Sequence, residues 1–238
     1  MLPRLIVFDL DGTLIDSRID LTNSVNATLA HLGKPALPEA VIGGYIGDGV
    51  GMLVRRALGD PEGDVHDEEY VNGAVEFFLD YYREHKLDFT YVYDGVFEAL
   101  DQIRAEVPAV PMAVLTNKPV RPSRDICAHF GLDRYFFQNY GGNSFHTKKP
   151  DPAGLLSLMA EASELDPSAS RITASETVLV GDSDVDVLTA LNCGARSLGC
   201  LYGLAPHRLQ AAGPDAMAAS PLEWPQALRA LATHPVAR

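Results

Sequence analysis

The chain has 238 residues, 47% hydrophobic and 21% charged, which is enough apolar material for one large domain or for a core with a smaller insert. Its formal net charge of −13 argues against broad binding to nucleic acid or to an anionic membrane, yet leaves room for a locally positive site that takes a small anion. Three cysteines without a CxxC pair argue against a disulfide framework or a cysteine metal site and fit a reducing cytoplasm. No uncharged apolar run approaches the ~18 residues that a membrane span needs.

The first expected element is a buried strand over residues 4–10, "RLIVFDL". Its apolar run meets Asp9 and Asp11, one residue apart, which also interrupts it too early for a signal peptide. From Leu14 to about Tyr91 no strand is expected. Leu21, Val25, Leu29 and Leu32 keep a helical spacing, and residues 52–58 and 68–85 also read as helices. Beyond Tyr91, strands over 111–116, 135–140, 177–182 and 195–200 alternate with helices over 95–106, 120–130, 152–162 and 185–192. Such alternation predicts an α/β fold, a Rossmann-like parallel sheet covered on both faces. The helical stretch is then an insert: residues 1–15 and 91–238 form the core, and 16–90 a small helical cap that can close over the strand ends.

In an open parallel sheet, ligands bind beyond the carboxyl ends of the strands. Four polar clusters fall at or just after such ends: "DLDGT" with Asp9, Asp11 and Thr13; "LTNKP" with Thr116, Asn117 and Lys118; "KKPDP" with Lys148 and Lys149; and "GDSDVD" with Asp182, Asp184 and Asp186. Each alone reads as a turn or a helix start. Together they supply what phosphoryl transfer needs. Clustered carboxylates hold a hard cation such as Mg²⁺, and a lysine and a hydroxyl meet the phosphate oxygens. One carboxylate can attack phosphorus while another moves the proton. Alternation along an extended strand would aim Asp9 and Asp11 at the same place.

These four motifs resemble, in order, those of the haloacid dehalogenase superfamily of phosphohydrolases, over nearly the whole chain. The resemblance implies Asp9 as nucleophile and metal ligand, and Asp11 as general acid/base that gives Mg²⁺ its backbone carbonyl. It implies Thr116 and Asn117 as holders of the phosphoryl group, Lys149 as the phosphate-binding cation with Lys148 as its solvated neighbour, Asp182 as a metal ligand, and Asp186 as the residue orienting Lys149 or a metal-bound water. The role of Asp184 stays open.

A finer resemblance, to phosphoglycolate phosphatases, rests on "YIGDGVGMLVRRAL" in the insert, on "TNKP" and on the late "LYG". The glycine-rich cap loop admits two readings. Gly49 and its neighbours can present helix N–H groups to a substrate carboxylate, aided by Arg55 or Arg56, or they only shape a turn beside two solvated arginines. Phe77, Phe78, Tyr81 and Tyr82 read as cap packing. The expected activity is hydrolysis of a small phosphorylated acid such as 2-phosphoglycolate through an aspartyl-phosphate, by a monomer or homodimer in the cytoplasm. The alternatives are a sugar phosphomutase, a phosphatase for sugar phosphates, nucleotides or pyrophosphate, and, from another class, a non-catalytic phospho-acceptor.

Overall fold

Side chains of "LIVF" alternate between the two faces of a strand, and both faces are apolar, so this segment can be covered by helices on each side. A computed structural model, which describes residues 3–166 and 169–233, has this arrangement. The chain runs from β1 (Leu5–Phe8) through a two-residue strand β2 (Ile15–Asp16) into helices α1 (Arg18–His31), α2 (Glu39–Gly43), α3 (Val50–Leu58) and α4 (Glu68–His85). It returns through β3 (Tyr91–Val92) and continues as α5 (Val96–Glu106), β4 (Met112–Leu115), α6 (Val120–His129), β5 (Gln138–Tyr140), α7 (Ala153–Glu164) and β6 (Thr177–Gly181). Then come α8 (Asp184–Cys193), β7 (Arg196–Cys200), α9 (Pro206–Ala212), β8 (Ala216–Ala218) and α10 (Trp224–Thr233).

Among the described residues six strands form one parallel sheet in the order β5-β4-β1-β6-β7-β8. Ile6 and Phe8 face a core built with Leu100 and Ile103 of α5 and Trp224 of α10, where the Phe8 and Trp224 rings lie 5.2 Å apart. Leu5 and Val7 face the opposite core with Leu155 and Leu158 of α7. After β1 the chain builds β4 and β5 on one side, then crosses back to build β6, β7 and β8 on the other. β1 therefore ends at a topological switch point, where a crevice opens beyond the strand ends.

Helices α1, α3 and α4 close on a separate cluster that includes Val25, Leu29, Leu53 and Phe78. Two contacts bind the start of this helical segment to its end. One is a short antiparallel ribbon, with Ile15 opposite Val92 and Asp16 opposite Tyr91. No strand was expected between Leu14 and Tyr91; two residues are too few to carry a period, and the partner lies far away in sequence. The other is Asp20, buried at 1% exposure, whose carboxylate accepts from the Thr90 amide at 2.8 Å, the Thr90 hydroxyl at 2.6 Å and the Phe89 amide at 3.0 Å. β8 and α9 were also not expected, being short and weakly patterned. Among the described residues no helix is long and apolar enough to cross a membrane.

Asp20→Ala strands three donors where the helical segment rejoins the sheet. It should lower unfolding free energy by about 2–4 kcal/mol in urea titration, the range for removing a charged acceptor from buried donors. A loss below about 0.5 kcal/mol would contradict this role.

Candidate active site

The turn after β1 is set by hydrogen bonds to one carbonyl. The amides of Thr13, Leu14 and Ile15 all donate to Leu10 O, at 3.2, 2.9 and 3.1 Å. Gly12 takes φ +83°, and a Cβ there would stand 2.1 Å from Asp182 Oδ2, so both the conformation and the space require glycine. Gly203 of "LYG" approaches the same aspartate; its Cβ would fall 2.3 Å from Asp182 Cβ. The next amide, Leu204, donates to Asp182 Oδ2 at 2.7 Å.

Asp9, Asp182 and Asp186 are buried, and each places a carboxylate oxygen within 4.8 Å of the others. Lys149 lies among them, its Nζ 3.0 Å from Asp9 Oδ1 and 2.6 Å from Asp186 Oδ1. Asp186 is fixed by the start of α8, accepting from the amide and hydroxyl of Ser183 at 3.1 and 2.8 Å. Burial pushes the Asp9 carboxyl up to about 6; Lys149 opposes this and Asp186 adds to it. Burial also raises Asp182 well above the usual carboxylate range, reinforced by Asp186 and Asp9. Burial alone would depress Lys149, but Asp186 and Asp9 more than reverse it. Three carboxylates against one ammonium leave a negative centre made of oxygen donors. That donor set fits a hard divalent cation.

The loop after β4 adds the second group. Thr116 is buried beside the cluster. The Asn117 amide donates to Gly47 O at 3.1 Å and to Lys149 O at 3.0 Å, so this side chain ties the cap loop to the lysine loop. Asp11 stands outside the carboxylate group. It accepts from Lys118 Nζ at 2.9 and 3.0 Å and from the Ser17 hydroxyl at 2.5 Å. Strand alternation does not set its direction, because β1 stops at Phe8 and the turn re-aims the residues beyond it. The Lys118 ammonium also lies 4.7 Å from the centre of the Tyr82 ring on α4.

These residues floor a cavity of about 50 Å³. Asp9, Asp11, Thr116, Asn117 and Lys118 come from the sheet side, and Gly47, Gly49, Val50, Phe78 and Tyr82 from the helical segment above. Of the expected site residues, Asp9, Asp11, Thr116, Asn117 and Gly49 line the cavity, and Lys149, Asp182 and Asp186 surround Asp9.

Arg55 is not brought there. Its guanidinium is held by Asp60 at 3.1 Å and Glu68 at 2.5 Å, beyond the end of α3. Arg56 pairs with Asp48 at 2.6 Å. Lys148, expected as a solvated neighbour, donates to Asp48 O at 2.6 Å. Asp184 forms an ion pair with Arg208 at 2.9 Å. Two polar residues of the cavity carried no site role in the sequence reading: Lys118, noted only as a member of a strand-end cluster, and Tyr82, read as packing. The adjacency of Lys118 to Asn117 was a signal for the first; none pointed to the second.

Residues 6–200 match the family model described as haloacid dehalogenase-like hydrolase. The chain belongs to this family. The hydrolase is 40% identical over 204 residues to phosphoglycolate phosphatase 1 of Pseudomonas aeruginosa, covering 85% of this chain and 71% of that one. It is 34% identical over 221 residues to the phosphoglycolate phosphatase of Vibrio parahaemolyticus, covering 91% and 92%. A crystal structure of a predicted phosphoglycolate phosphatase from Haemophilus somnus superposes with a TM-score of 0.83 at 28% identity, over 94% of this chain and 96% of that one. This haloacid dehalogenase-like hydrolase is a phosphatase.

A divalent cation bound by the carboxylate cluster would stabilise the folded state. At a concentration one hundred times its Kd, Mg²⁺ should add about 2.7 kcal/mol and raise Tm by roughly 5 °C over protein in EDTA at pH 7.5. Protons compete for the same oxygens, so the increment should shrink as pH falls through about 6, the value to which Asp9 is raised. Without metal the sign reverses: the folded chain holds a proton on Asp9 that the unfolded chain releases near 3.8, so this contribution is full below 3.8 and lost as pH rises through about 6. Identical melts with and without the cation would refute the site.

Proposed function

We propose that this phosphatase hydrolyses a small phosphorylated acid of the 2-phosphoglycolate type, with Mg²⁺, through an aspartyl-phosphate on Asp9. The observation that carries the reading is the partly open cavity of about 50 Å³, in which Gly47, Gly49 and Val50 of the helical segment face Asp9. That is room for a few water-sized groups, well below the ~300 Å³ at which drug-sized ligand sites begin. A phosphoryl group with a two-carbon acid suits it better than a hexose does. The names of the relatives at 34–40% identity support the same substrate.

The roles follow from placement. Asp9 is the carboxylate at the cavity floor and attacks phosphorus in line with the leaving oxygen. Lys149 holds Asp9 in place and neutralises phosphoryl oxygens as charge shifts onto them. Asp9, Asp182 and the backbone carbonyl of Asp11 would hold Mg²⁺, which would supply further neutralisation. Asp186 orients Lys149. Thr116 offers its hydroxyl to the phosphoryl group. Asn117 acts by bracing, since its side-chain amide already donates to Gly47 O and Lys149 O. Asp11 protonates the leaving oxygen, then takes the proton of the water that hydrolyses the acyl phosphate. Residues 16–90 form the cap that selects the substrate. The three free thiols, Cys127, Cys193 and Cys200, fit work in the cytoplasm.

Asp9→Asn should abolish release of p-nitrophenol from p-nitrophenyl phosphate. Asp11→Asn should keep the fold and lose ~10²–10⁴-fold in kcat, the usual worth of general acid/base help. Substantial turnover by Asp9→Asn would remove the nucleophile assignment, and near-normal kcat in Asp11→Asn the proton-transfer role. In a panel of phosphate esters ranked by kcat/KM, 2-phosphoglycolate should stand at least tenfold above glucose phosphates, nucleotides and pyrophosphate, the step that 1.4 kcal/mol of differential transition-state binding gives. Interconversion of glucose phosphates without phosphate release would replace hydrolase by mutase.

A further inference from the structure

A phosphorylated acid brings two anions into the cavity. The phosphoryl group goes to Asp9 and Lys149. The carboxylate then lies on the leaving-group side, under a largely apolar roof, where an unpaired charge is strongly disfavoured. The two arginines that the sequence offers for it are both engaged elsewhere. Arg55 is held by Asp60 and Glu68, and Arg56 by Asp48. Lys149 is shared by Asp9 and Asp186.

Among the described residues, the cation in the cavity wall is Lys118. Its side chain is 4% exposed, its ammonium bonds both oxygens of Asp11, and the Tyr82 ring packs over it at 4.7 Å. We infer that Lys118 is the residue that recognises the substrate carboxylate, an inference that rests on the proposed small phosphorylated acid as substrate. The placement follows from covalent geometry. Asp11 addresses the leaving oxygen, and in a 2-phosphoglycolate-type ester one methylene separates that oxygen from the carboxylate carbon. A cation paired with Asp11 is therefore in reach of the carboxylate. An ammonium has three N–H donors in adjustable directions, so Lys118 can turn from Asp11 to the incoming anion. The exchange leaves Asp11 to the leaving oxygen. A substrate without the second anion would leave Lys118 on Asp11, so recognition of the acid and readiness of the proton donor are one event. The bland role for the same contacts is neutralisation of Asp11 alone.

The test compares 2-phosphoglycolate with ethyl phosphate, which has the same ester but no carboxylate. Wild type should prefer 2-phosphoglycolate in kcat/KM. Lys118→Met should lower that preference by about 10–100-fold, mostly through KM, the range for losing a charge-assisted hydrogen bond. Lys118→Arg should keep part of it. If Lys118→Met depresses both esters by the same factor, Lys118 serves only Asp11 and the inference fails while the substrate reading stands. If wild type shows no preference for the acid, the substrate reading fails and the inference falls with it. Should Lys118→Met not fold, Lys118→Gln, which keeps an N–H donor toward Asp11 but no charge, carries the same comparison.

Discussion

One ammonium, that of Lys149, is shared by two buried carboxylates, Asp9 and Asp186, with a third, Asp182, close by. Burying three like charges is strongly unfavourable unless they are protonated, paired or bound to a cation. The surrounding structure meets this constraint directly. Ser183 and the first turn of α8 hold Asp186, and the Leu204 amide holds Asp182. Glycines stand where any side chain would collide with the acids: Gly12 and Gly203 against Asp182, and Gly181 against Asp186, where a Cβ would fall 2.1 Å from Cγ. The sheet order brings the ends of β1 and β6 side by side, so Asp9 and Asp182 cannot avoid each other. The negative charge is thus built in, and its oxygen donors fit a hard divalent cation.

The same lysine links this centre to the helical segment. Its backbone carbonyl accepts from Asn117, whose other amide N–H reaches Gly47 O in the cap loop. One side chain therefore senses both the lysine loop and the roof of the cavity. A second set of contacts lies outside the cavity. Asp48 pairs with Arg56 at 2.6 Å and Arg208 at 3.4 Å, its carbonyl accepts from Lys148, and Arg208 pairs with Asp184. Isolated surface ion pairs contribute little, but here several charges share one loop and form a network. Their common effect is to hold residues 47–49 down over Asp9 and Asp11.

The core of this arrangement was legible in the sequence because it depends on strand ends. Apolar runs that stop at acids, a threonine and a glycine-aspartate pair mark where a parallel sheet presents its chemistry, and β1, β4 and β6 end within a residue or two of the expected positions. Where the reading failed, direction mattered more than position. Arg55 and Arg56 are adjacent on α3, and helical spacing alone does not say which acid will claim each. Asp60, fully buried one residue past the Gly59 cap, settles Arg55 by packing that the local pattern does not reveal. Lys118 and Tyr82 meet across 36 positions of sequence, and Asp11 and Lys118 across 107. Such pairs arise from how the helical segment folds back onto the sheet, through a two-residue ribbon and one buried aspartate too short to register as a pattern.

The charge distribution then resolves a tension in the composition. A chain of net charge −13 should repel an anionic ester, and a site floored by three acids should repel it more. The basic residues are not spread evenly against this. Lys118 lines the cavity, Lys149 lies against Asp9 at its floor, and Lys148, Arg56 and Arg208 gather at the cap loop beside it. Five of the 19 lysines and arginines therefore stand around one small opening. Charges beyond a Debye length of ~10 Å contribute little at moderate salt, so the balance at the opening is set locally, where these cations stand among Asp9, Asp11, Asp48, Asp182, Asp184 and Asp186. An anionic ester thus meets cations already paired with acids, and a divalent cation on the carboxylate cluster would tip that balance toward it.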